Sequence, residues 1–431
     1  MNLNFYYQIE SRGPRATAHA IRRPCYYRFL VSSLLEMSPG NRIKEVFIVS
    51  VARTPIGSFR GSLATVSSTK LGTIVIDGTI ERAGIPKEVV QEVYMGCVYQ
   101  AGLGQNPAKQ AALGAGLSVT TPCSTINKLC SSGMKAVALA AQNLMLGQQD
   151  IMVAGGMESM SNVPYYLPRG ETPFGTISLI DGCQYDGLTD AYSSLLMGSC
   201  ADKTAAKYSI GRKEQDIFAA DSYQRSATAA EEGIFEREIV PVTIPGKKGK
   251  SDTIIKKDEE YSKVIYEKLP KLPPAFEKNG TVTAANASSL SDGAAACVLM
   301  TREAVERFKL KPLAKIVGFA DSSVDPLYFP VAPSEAMSKV LMQSGLKKED
   351  IAVWEINEAF SVVPLINIQL LDLDTSKVNP NGGAVSLGHP LGMSGARLIN
   401  ALAMNLKPGE YGMASTCNGG GGASAMMVQK L

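Results

Sequence analysis

The sequence predicts an α/β protein built from two related halves. Three segments of the first half recur in the same order in the second half, each with the pattern of a strand, a glycine turn or a helix. A hydrophobic content of 45%, a charged content of 19% and 40 glycines are typical of a soluble α/β enzyme with many tight turns. At 431 residues, the chain is long enough for two or three domains.

The first repeat pairs GIPKEVVQEVYMGCV, beginning at Gly84, with GLKKEDIAVWEINEAF, beginning at Gly345. The second pairs LCSSGMKAVALAAQNLM with LGMSGARLINALAMNLK, and it aligns Ser132-Gly133 with Ser394-Gly395. The third pairs IMVAGGMES with GMASTCNGGGG. Repeats this weak can arise from shared strand, turn and helix patterns. Their common order is what indicates a duplicated unit.

Local patterns place further elements along the chain. EVFIVSVA, from Glu45, predicts a buried strand, and the apolar spacing from Thr69 to Ala83 predicts a helix. Between the halves, roughly residues 161–281, the chain is more polar and includes a predicted helical segment from about Ser199 to Ile234. The lysine-rich stretch Gly246 to Lys278 is either a solvated loop or a docking surface for a phosphorylated ligand.

Residues 1–43 differ in composition from the rest of the chain. They contain six arginines, no lysine, and only Glu10 and Glu36 as acidic residues. An arginine-rich, acid-poor leader is typical of an organelle transit peptide, so we expect a mitochondrial protein. The alternative is a cytoplasmic chain that starts at Met37.

Charge and cysteine usage exclude several classes of function. The net charge is +3, which is not the strong positive charge typical of a nucleic-acid-binding protein. No uncharged apolar run is long enough for a membrane span. The eight cysteines form no C-x-x-C pair and no Cys/His cluster, which argues against zinc and against a disulfide framework.

His389 is the only histidine outside the first twenty residues, so any imidazole chemistry near neutral pH depends on it. Its surroundings, GGAVSLGHPLGMSGAR, predict a strand, a glycine turn and a helix that opens at Ser394-Gly395. Such a turn brings backbone close to a ligand and points helix N–H groups toward it. A lone histidine is more often structural, so the catalytic interpretation depends on its partners.

Three further residues are candidate partners of His389. Cys130 precedes a predicted helix, whose dipole would stabilise a thiolate, and the duplication puts it in a loop equivalent to that of His389. A Cys-His nucleophile pair would follow from that arrangement. Cys417 and Asn418 precede four consecutive glycines, whose N–H groups can bind an oxyanion. Asn357 ends a predicted strand. Taken singly, each residue has a structural alternative. Cys130 could be a buried inert thiol, Cys417 a buried thiol beside a plain glycine turn, and Asn357 a turn or helix-capping residue.

Taken together, these motifs resemble those of the thiolases. NKLCSSGMKA, NEAF, GGAVSLGHPLGMSGAR and CNGGGG carry the resemblance, which extends from Lys44 to Leu431 through GGMESMSNVPY, DGLTDAY, MGSCAD, GTVTAANASSLSDGAAA and the terminal QKL. It is closest to short-chain members of the mitochondrial kind. The implied fold has two duplicated βαβαβαββ halves in a layered α-β-α-β-α core with an inserted loop domain. The implied domains are a leader at 1–43, a first half at 44–311 including the loop domain at about 161–281, and a second half at 312–431.

The resemblance also implies an activity and a role for each site residue. The activity is that of an acetyl-CoA C-acetyltransferase, the reversible condensation of two acetyl-CoA to acetoacetyl-CoA and CoA. Cys130 would take the acyl group, His389 would activate it, and Cys417 would be the second acid/base. Asn357, through a water, and His389 would hold one thioester oxygen, and the amides of Cys130 and Gly419 the other. A Claisen condensation suits these residue types, because oxyanion donors can stabilise an enolate without a metal.

The same resemblance implies ligands and an assembly. Acetyl-CoA, acetoacetyl-CoA and coenzyme A are expected as substrates, with no covalent cofactor, and the assembly is expected to be a homotetramer. The implied coenzyme A contacts are Tyr223, Lys263, Val264, Ile265, Lys268 and Ser288. The implied ligands of a potassium ion are Tyr223, Ala284, Ala285, Ala287 and Val385. Phe329-Pro330 resembles the type that accepts 2-methyl-branched acetoacetyl-CoA.

Three positions depart from the family pattern. Leu196 stands where many members have histidine, Ser131 stands where alanine is usual, and Pro364 falls in an expected helix, where a kink would lie close to Asn357. Two other activities remain open, a 3-ketoacyl-CoA thiolase for longer chains and a Cys-His hydrolase. A third alternative is a paralogue that binds acyl-CoA without turnover. Ketoacyl synthases fit less well, because the folded region has a single histidine.

Overall fold

The computed structural model describes residues 43–431, except 172–173 and 247–248. The predicted leader, apart from Ile43, lies outside these residues. Within the described ranges, no helix combines the length and the apolar character needed to cross a bilayer.

Fourteen strands belong to one large mixed sheet and two small hairpins. They are β1 Val46–Arg53, β2 Gly57–Ser58, β3 Glu92–Gly96, β4 Cys123–Ile126, β5 Ile151–Ser159, β6 Tyr165–Tyr166, β7 Ile180–Asp181, β8 Val242–Ile244, β9 Thr253–Ile255, β10 Ser291–Thr301, β11 Ala314–Ser323, β12 Ile351–Ile356, β13 Tyr411–Asn418 and β14 Gly422–Lys430. The hairpins β6–β7 and β8–β9 lie in the middle segment, and β2 pairs with β10. The first predicted strand therefore agrees with β1.

Eleven α-helices are present among the described residues. They are α1 Ser68–Ala83, α2 Pro107–Gly114, α3 Ser132–Met145, α4 Gly182–Gly187, α5 Met197–Lys207, α6 Arg212–Glu231, α7 Arg302–Arg307, α8 Ala332–Ser344, α9 Val362–Leu371, α10 Ala384–Leu387 and α11 Leu391–Asn405. The helix predicted from Thr69 agrees with α1, but the single segment predicted for Ser199 to Ile234 is wrong. It is two helices, because Ser209 turns into the left-handed region (φ 59°) and the side chain of Glu214 restarts the helix by accepting from Gly211 N (2.6 Å).

The sheet displays the predicted duplication. Its strand order is β12-β13-β14-β11-β1-β10-β5-β3-β4, so β1 and β11 meet at the centre and corresponding strands follow outward on either side. β3 runs parallel to β5, as β12 does to β13. The first repeat is also reproduced locally, because Gly84 (φ 66°) and Gly345 (φ 71°) both end a helix in the left-handed conformation.

One element of the second half departs from the repeat. The segment before His389, expected to be a strand, is the one-turn helix α10. Its amides are bound by side chains rather than by a neighbouring strand: Val385 N donates to Glu358 (3.1 Å) and Gly383 N to Ser222 (3.2 Å). The following helix also begins earlier than predicted, at Leu391 instead of Ser394.

Helices α3 and α11 form the central layer. Both pack between the two halves of the sheet through a shared apolar cluster, while α1 and α2 cover one outer face and α8 the other. The two central helices cross closely: a Cβ at Gly133 would lie 2.6 Å from the carbonyl oxygen of Gly392, and one at Gly395 would lie 2.7 Å from Met134 N. The repeated Ser-Gly pair is therefore a packing requirement. The layered fold class predicted from the resemblance is confirmed.

Gly156 offers a test of this close packing. It lies on β5, and a Cβ there would overlap the carbonyl oxygen of Gly392 in the first turn of α11. The nearest atoms to this Cβ belong to the main chain of Gly392 and Gly133 and cannot rotate away. We therefore expect Gly156→Ala to lower the free energy of unfolding by about 3 kcal/mol. Thermal unfolding midpoints measure the effect. Gly170→Ala, where a Cβ meets no atom within 4 Å, is the matched control and should leave the midpoint unchanged.

Candidate active site

Cys130 lies in a tight turn between β4 and α3, the strand-to-helix position that its sequence pattern predicts. The turn places Leu129 in the left-handed region (φ 49°). Main-chain hydrogen bonds close it, from Ser131 N to Lys128 O (3.1 Å) and from Ser132 N to Leu129 O (2.9 Å). The turn fixes the thiol at the N-terminal end of α3, on the wall of a cavity.

His389 lies between α10 and the first turn of α11, which also supplies its hydrogen-bond partner. Its Nδ1 is 2.6 Å from the hydroxyl of Ser394, and that hydroxyl lies 3.0 Å from the carbonyl oxygen of Pro390, to which it donates. A serine hydroxyl has one proton, so this network assigns the imidazole proton to Nδ1 and a lone pair to Nε2. His389 therefore presents Nε2 as a base or hydrogen-bond acceptor.

Asn357 immediately follows β12 and contacts the imidazole. Its Nδ2 lies 3.4 Å from Nε2 of His389, and its main-chain N–H donates to the carbonyl oxygen of Ser415 (2.9 Å). The side chain is fully buried, and among the described residues its Oδ1 has no hydrogen-bond partner. A buried amide oxygen left free in this way is suited to a water molecule or a ligand.

Cys417 and Gly419 lie at the end of β13 and in the turn that follows it. Cys417 is buried, and the hairpin turn to β14 uses Gly420 (φ 76°) and Gly421 (φ 80°) in the left-handed region. The main-chain amide of Gly419 lies near the Cys130 thiol and favours its ionised form. The glycine turn thus brings an amide donor against the thiol of the other half.

A single cavity of about 520 Å³ joins these groups. Cys130, His389, Cys417 and Gly419 lie along its wall, and Asn357 adjoins it through His389. The remaining wall is largely apolar and aromatic. It includes Phe59, Met160, Leu188, Leu196, Met197, Phe276, Leu290, Phe329, Phe360 and Leu391. Two thiols, one imidazole and amide donors therefore converge in a largely water-excluding site.

Burial keeps the two reactive groups neutral in the ligand-free protein. It raises the pKa of the Cys130 thiol to about 12, although the amides of Cys130 and Gly419 favour the thiolate. Burial, assisted by the charge of Arg397, lowers the pKa of His389 to about 3. The pKa of Cys417 is also raised by burial. In this state, the loss of hydration outweighs the stabilisation of a Cys130 thiolate that the helix N-terminus provides.

These pKa shifts predict the pH dependence of Cys130 alkylation. A thiol whose pKa lies above the working range gains about tenfold in thiolate for each pH unit, so alkylation by iodoacetamide without substrate should rise from about pH 6 to about pH 9 without levelling off. Mass spectrometry of the peptide containing Cys130 measures the rate. Cys297, fully buried on β10, should stay unmodified in the same samples. A plateau below about pH 8 would instead indicate a preformed thiolate–imidazolium pair.

The residues expected to contact coenzyme A are only partly at this cavity. Ser288 lies on its wall, and its hydroxyl donates to the carbonyl oxygen of Ala359 (2.8 Å). Lys263 forms ion pairs with Glu259 (3.2 Å) and Glu260 (3.1 Å). The others lie in or beside the 3₁₀ turns Tyr261–Lys263 and Tyr266–Lys271 or on α6; they are Tyr223, Val264, Ile265 and Lys268. Their role in binding stays a prediction.

The residues expected to hold potassium fall into two groups. Tyr223 and Val385 pack in one small cluster, whereas Ala284 and Ala287 lie along the cavity wall; Ala285 follows Ala284 and donates from its N–H to Thr283 (3.3 Å). Across the part of the chain that the structure describes, no three His, Cys, Asp or Glu side chains are arranged to hold a metal ion.

The three departures from the family pattern have distinct surroundings. Leu196 lies on the cavity wall, where its side chain adds apolar surface. The hydroxyl of Ser131 lies 3.0 Å from Thr416 O and 2.9 Å from Oδ1 of Asn418, which links the start of α3 to β13. Pro364 lies in the first turn of α9, where its missing N–H is not needed, so the expected kink does not occur.

Two residues near the site were not singled out from the sequence. Ser394 holds Nδ1 of His389, and its spacing of five residues from the histidine, within the first turn of a helix, was an available signal. Glu158 is a fully buried carboxylate that hydrogen-bonds to the first turn of α11. Its position in GGMES, at the end of a long buried strand, indicated burial but gave no sign of its partners.

Comparison with known proteins gives consistent matches along the chain. The model described as thiolase, N-terminal domain, matches residues 46–303, and the thiolase, C-terminal domain, matches residues 310–430. The mitochondrial acetyl-CoA acetyltransferase of Bos taurus is 62% identical over 390 residues, which are 90% of this chain and 92% of the relative. The Homo sapiens protein of that name is 61% identical over 390 residues, 90% of this chain and 91% of the relative.

A solved structure gives a similar result. The Acat5 thiolase of Ascaris suum in complex with coenzyme A superposes with a TM-score of 0.86 at 48% sequence identity. The match covers 90% of this chain and 100% of that chain. Sequence and fold similarity therefore extend over the same region, from β1 to the end of β14.

Proposed function

This chain belongs to the thiolase family, and we propose that it transfers an acetyl group between coenzyme A thioesters through an acyl-enzyme on Cys130. The reaction is that of an acetyl-CoA C-acetyltransferase, in which two acetyl-CoA molecules condense to acetoacetyl-CoA and CoA, or the reverse. Relatives named for this activity share more than 60% of residues with the chain across nine-tenths of its length. The observation that carries the residue assignment is the convergence of both thiols, the unprotonated Nε2 of His389 and the Gly419 amide in one cavity.

In the cleavage direction, the first half-reaction acylates Cys130. Nε2 of His389 accepts the thiol proton as the sulfur attacks the 3-keto carbon of acetoacetyl-CoA, so charge forms only in the transition state. The bond between C2 and C3 then breaks, acetyl-Cys130 remains, and the enolate of acetyl-CoA takes a proton from Cys417. A neutral Nε2 and neutral thiols are the forms in which these groups can exchange protons in this order.

The second half-reaction transfers the acetyl group to coenzyme A. Between the half-reactions, the proton held by His389 returns to the Cys417 thiolate. Nε2 of His389 then accepts the proton of the incoming CoA thiol as its sulfur attacks the carbonyl carbon of acetyl-Cys130, and it returns that proton to the Cys130 sulfur as the thioester bond to Cys130 breaks. The amides of Cys130 and Gly419 are proposed to hold the oxyanion on the acyl group, which their contact with the Cys130 sulfur supports. Asn357, through a water at its free Oδ1 or Nδ2, and His389 would hold the other thioester oxygen.

The aromatic wall bears on substrate range. Phe329 and Phe276 each pack edge-on against Phe360, with ring centroids 6.3 and 6.2 Å apart. These three rings border the cavity that contains Cys130 and so are proposed to limit acyl length. We propose that the protein prefers short 3-ketoacyl-CoA substrates, including acetoacetyl-CoA with a 2-methyl branch. The rival proposal is a preference for longer 3-ketoacyl-CoA substrates.

CoA-dependent cleavage of acetoacetyl-CoA tests the proposal, measured beside its 2-methyl and longer-chain analogues. Faster turnover of the short substrates supports the short-chain assignment, and faster turnover of long ones supports the rival. Free acetate released without consumption of CoA would identify a hydrolase. Binding of acyl-CoA without any turnover would identify a non-catalytic paralogue and overturn the proposal.

Coenzyme A and a potassium ion are the proposed small-molecule partners. For CoA, we propose the contacts Tyr223, Lys263, Val264, Ile265, Lys268 and Ser288, with the lysines near its phosphates. For potassium, we propose Tyr223, Ala284, Ala285, Ala287 and Val385. The surroundings fit a cation, because the fully buried Glu358 accepts from Val385 N (3.1 Å), and Val385 packs in one cluster with Tyr223. Replacing potassium by sodium in the assay should raise the KM for acyl-CoA if the ion is present.

The proposed assembly is a homotetramer in the mitochondrion, the location named for the relatives. β4 is an edge strand with main-chain groups open to pairing, and the segment from Tyr165 to Tyr192 exposes several large apolar side chains. Both features are suited to contacts between copies. Light scattering after size exclusion would distinguish four copies from two or one. The domain boundaries at residues 43, 161, 281 and 311 remain proposals.

A further inference from the structure

Glu158 is a buried carboxylate that lies between the first turn of α11 and the loop that follows β3. It lies near the end of β5 with no exposed surface. Its Oε2 accepts from Val98 N (3.0 Å) and Gly392 N (2.8 Å). Its Oε1 accepts from Tyr99 N (3.2 Å) and lies 3.7 Å from the thiol of Cys97. The side chain thus joins two segments that are distant in sequence.

The contact with Gly392 is significant because α11 has no cap of its own. The four N-terminal amides of a helix lack partners within the helix. Pro390 at the N-cap makes no side-chain hydrogen bond, and the first turn contains no acidic residue. Glu158 supplies the missing acceptor from another strand, and its carboxylate lies where the helix dipole favours negative charge. The amides favour its ionised form, although burial raises the pKa of Glu158 to about 7.

The first turn of α11 determines where the imidazole lies. His389 immediately precedes this turn, and its Nδ1 is held by Ser394, whose hydroxyl in turn donates to Pro390 O. Histidine, hydroxyl and carbonyl are therefore one unit that moves with the turn. A Cβ at Gly392 would lie 2.9 Å from Oε2 of Glu158, so carboxylate and turn are in close contact.

We infer that Glu158 is a positioning residue for acyl transfer: its carboxylate fixes the first turn of α11 against the loop after β3 and so holds Nε2 of His389 toward Cys130. This inference rests on the proposed function, because it assigns His389 the role of base. A misplacement of about 1 Å in a reacting group can cost about 100-fold in rate. None of the main-chain groups that Glu158 accepts from, those of Val98, Tyr99 and Gly392, belongs to a residue on the cavity wall. The effect should therefore appear in kcat and not in KM.

Glu158→Gln is the direct test, with Glu158→Asp as the conservative variant. Glutamine keeps the size but turns an NH₂ group toward main-chain N–H donors, whereas aspartate keeps the charge on a shorter arm. For acetoacetyl-CoA cleavage, we expect Glu158→Gln to lower kcat about 100-fold, with KM within about twofold of the parent. Glu158→Asp should recover part of that loss. Exchange of labelled CoA into acetyl-CoA, which also needs His389, should fall in parallel.

Glu238→Gln is the matched control, since Glu238 is also a buried carboxylate but binds Arg53 (2.6 Å) rather than α11. It should change thermal stability without lowering kcat. The inference is overturned if Glu158→Gln folds and keeps kcat within twofold, if the control loses kcat equally, or if neither Glu158 variant folds. In the last case, Glu158 is needed to build the fold. Failure of the proposed function is distinguishable, because the parent protein itself would then lack turnover.

Discussion

Cys130→Ala is expected to abolish both acetoacetyl-CoA cleavage and the exchange of labelled CoA into acetyl-CoA. Both reactions pass through acetyl-Cys130, so loss of the sulfur removes the covalent step from each and should cost about 10⁴-fold or more in rate. Binding of acyl-CoA should persist, because the cavity wall is otherwise unchanged. The measurements are initial rates of both reactions and mass spectrometry of the acetylated peptide, with equilibrium binding as a separate readout.

Cys183→Ala is the matched control for that variant. Cys183 is a second thiol on the wall of the same cavity, but it packs against Tyr99, whose hydroxyl donates to the carbonyl oxygen of Cys183 (3.0 Å). It has no role in the proposed mechanism, so its replacement should leave exchange and cleavage within a few-fold of the parent. Retention of exchange in Cys130→Ala, or transfer of the acetyl label to Cys183, would contradict the assignment of the nucleophile.

The parts of the fold that could be predicted are those specified by local patterns. β1 follows from a mostly apolar run, and α1 follows from helical spacing closed by Gly84. The repeated Ser-Gly pair placed both central helices, because the same close crossing requires a small residue on each. The turn at Cys130 was predictable from local patterns, because a short strand precedes it and a regular helix follows it.

The features that were predicted wrongly, or not at all, depend mainly on contacts with residues that are distant in sequence. The segment before His389 is apolar enough for a strand, yet Glu358 and Ser222 bind its amides and hold it as α10. The interruption between α5 and α6 arises at one left-handed residue, Ser209, and Gly211, the N-cap of α6, was a signal in the sequence that the prediction did not use. The raised pKa of the Cys130 thiol could not be predicted, because a helix terminus is visible in a sequence, whereas the depth of burial is not. The hydrogen-bond partners of Glu158 likewise come from two segments that are distant in sequence.

The two halves use equivalent turns for different chemistry. The repeat aligns Cys130, which precedes α3, with Gly392 in the first turn of α11, so one of two equivalent positions carries a nucleophile and the other carries only an amide. The Gly392 amide is bound by Glu158, whereas the Cys130 turn faces the Gly419 amide across the cavity. Duplication supplied two similar helix starts, and the differing residues made one reactive and the other a fixed support for His389.

Cys417→Ser is expected to separate the two kinds of reaction that Cys130→Ala abolishes together. A serine hydroxyl fits the space but is a far weaker acid than a thiol, so it exchanges a proton with the α-carbon of acetyl-CoA much more slowly. Loss of one general acid/base costs about 10²–10⁴-fold, and we expect a fall of about 10³-fold in both cleavage and condensation. Acylation of Cys130 by acetyl-CoA breaks no carbon–carbon bond, so CoA exchange should stay within about tenfold of the parent.

Cys297→Ser controls for the loss of a buried thiol, since Cys297 lies on β10 with no exposed surface and outside the cavity wall. It should leave both rates near those of the parent. A loss of exchange equal to that of condensation in Cys417→Ser would mean that Cys417 also serves acylation. The division of labour would then fail, and His389 would not suffice to activate Cys130. Retained exchange with lost condensation would leave His389 as the base for sulfur and Cys417 as the acid/base for carbon.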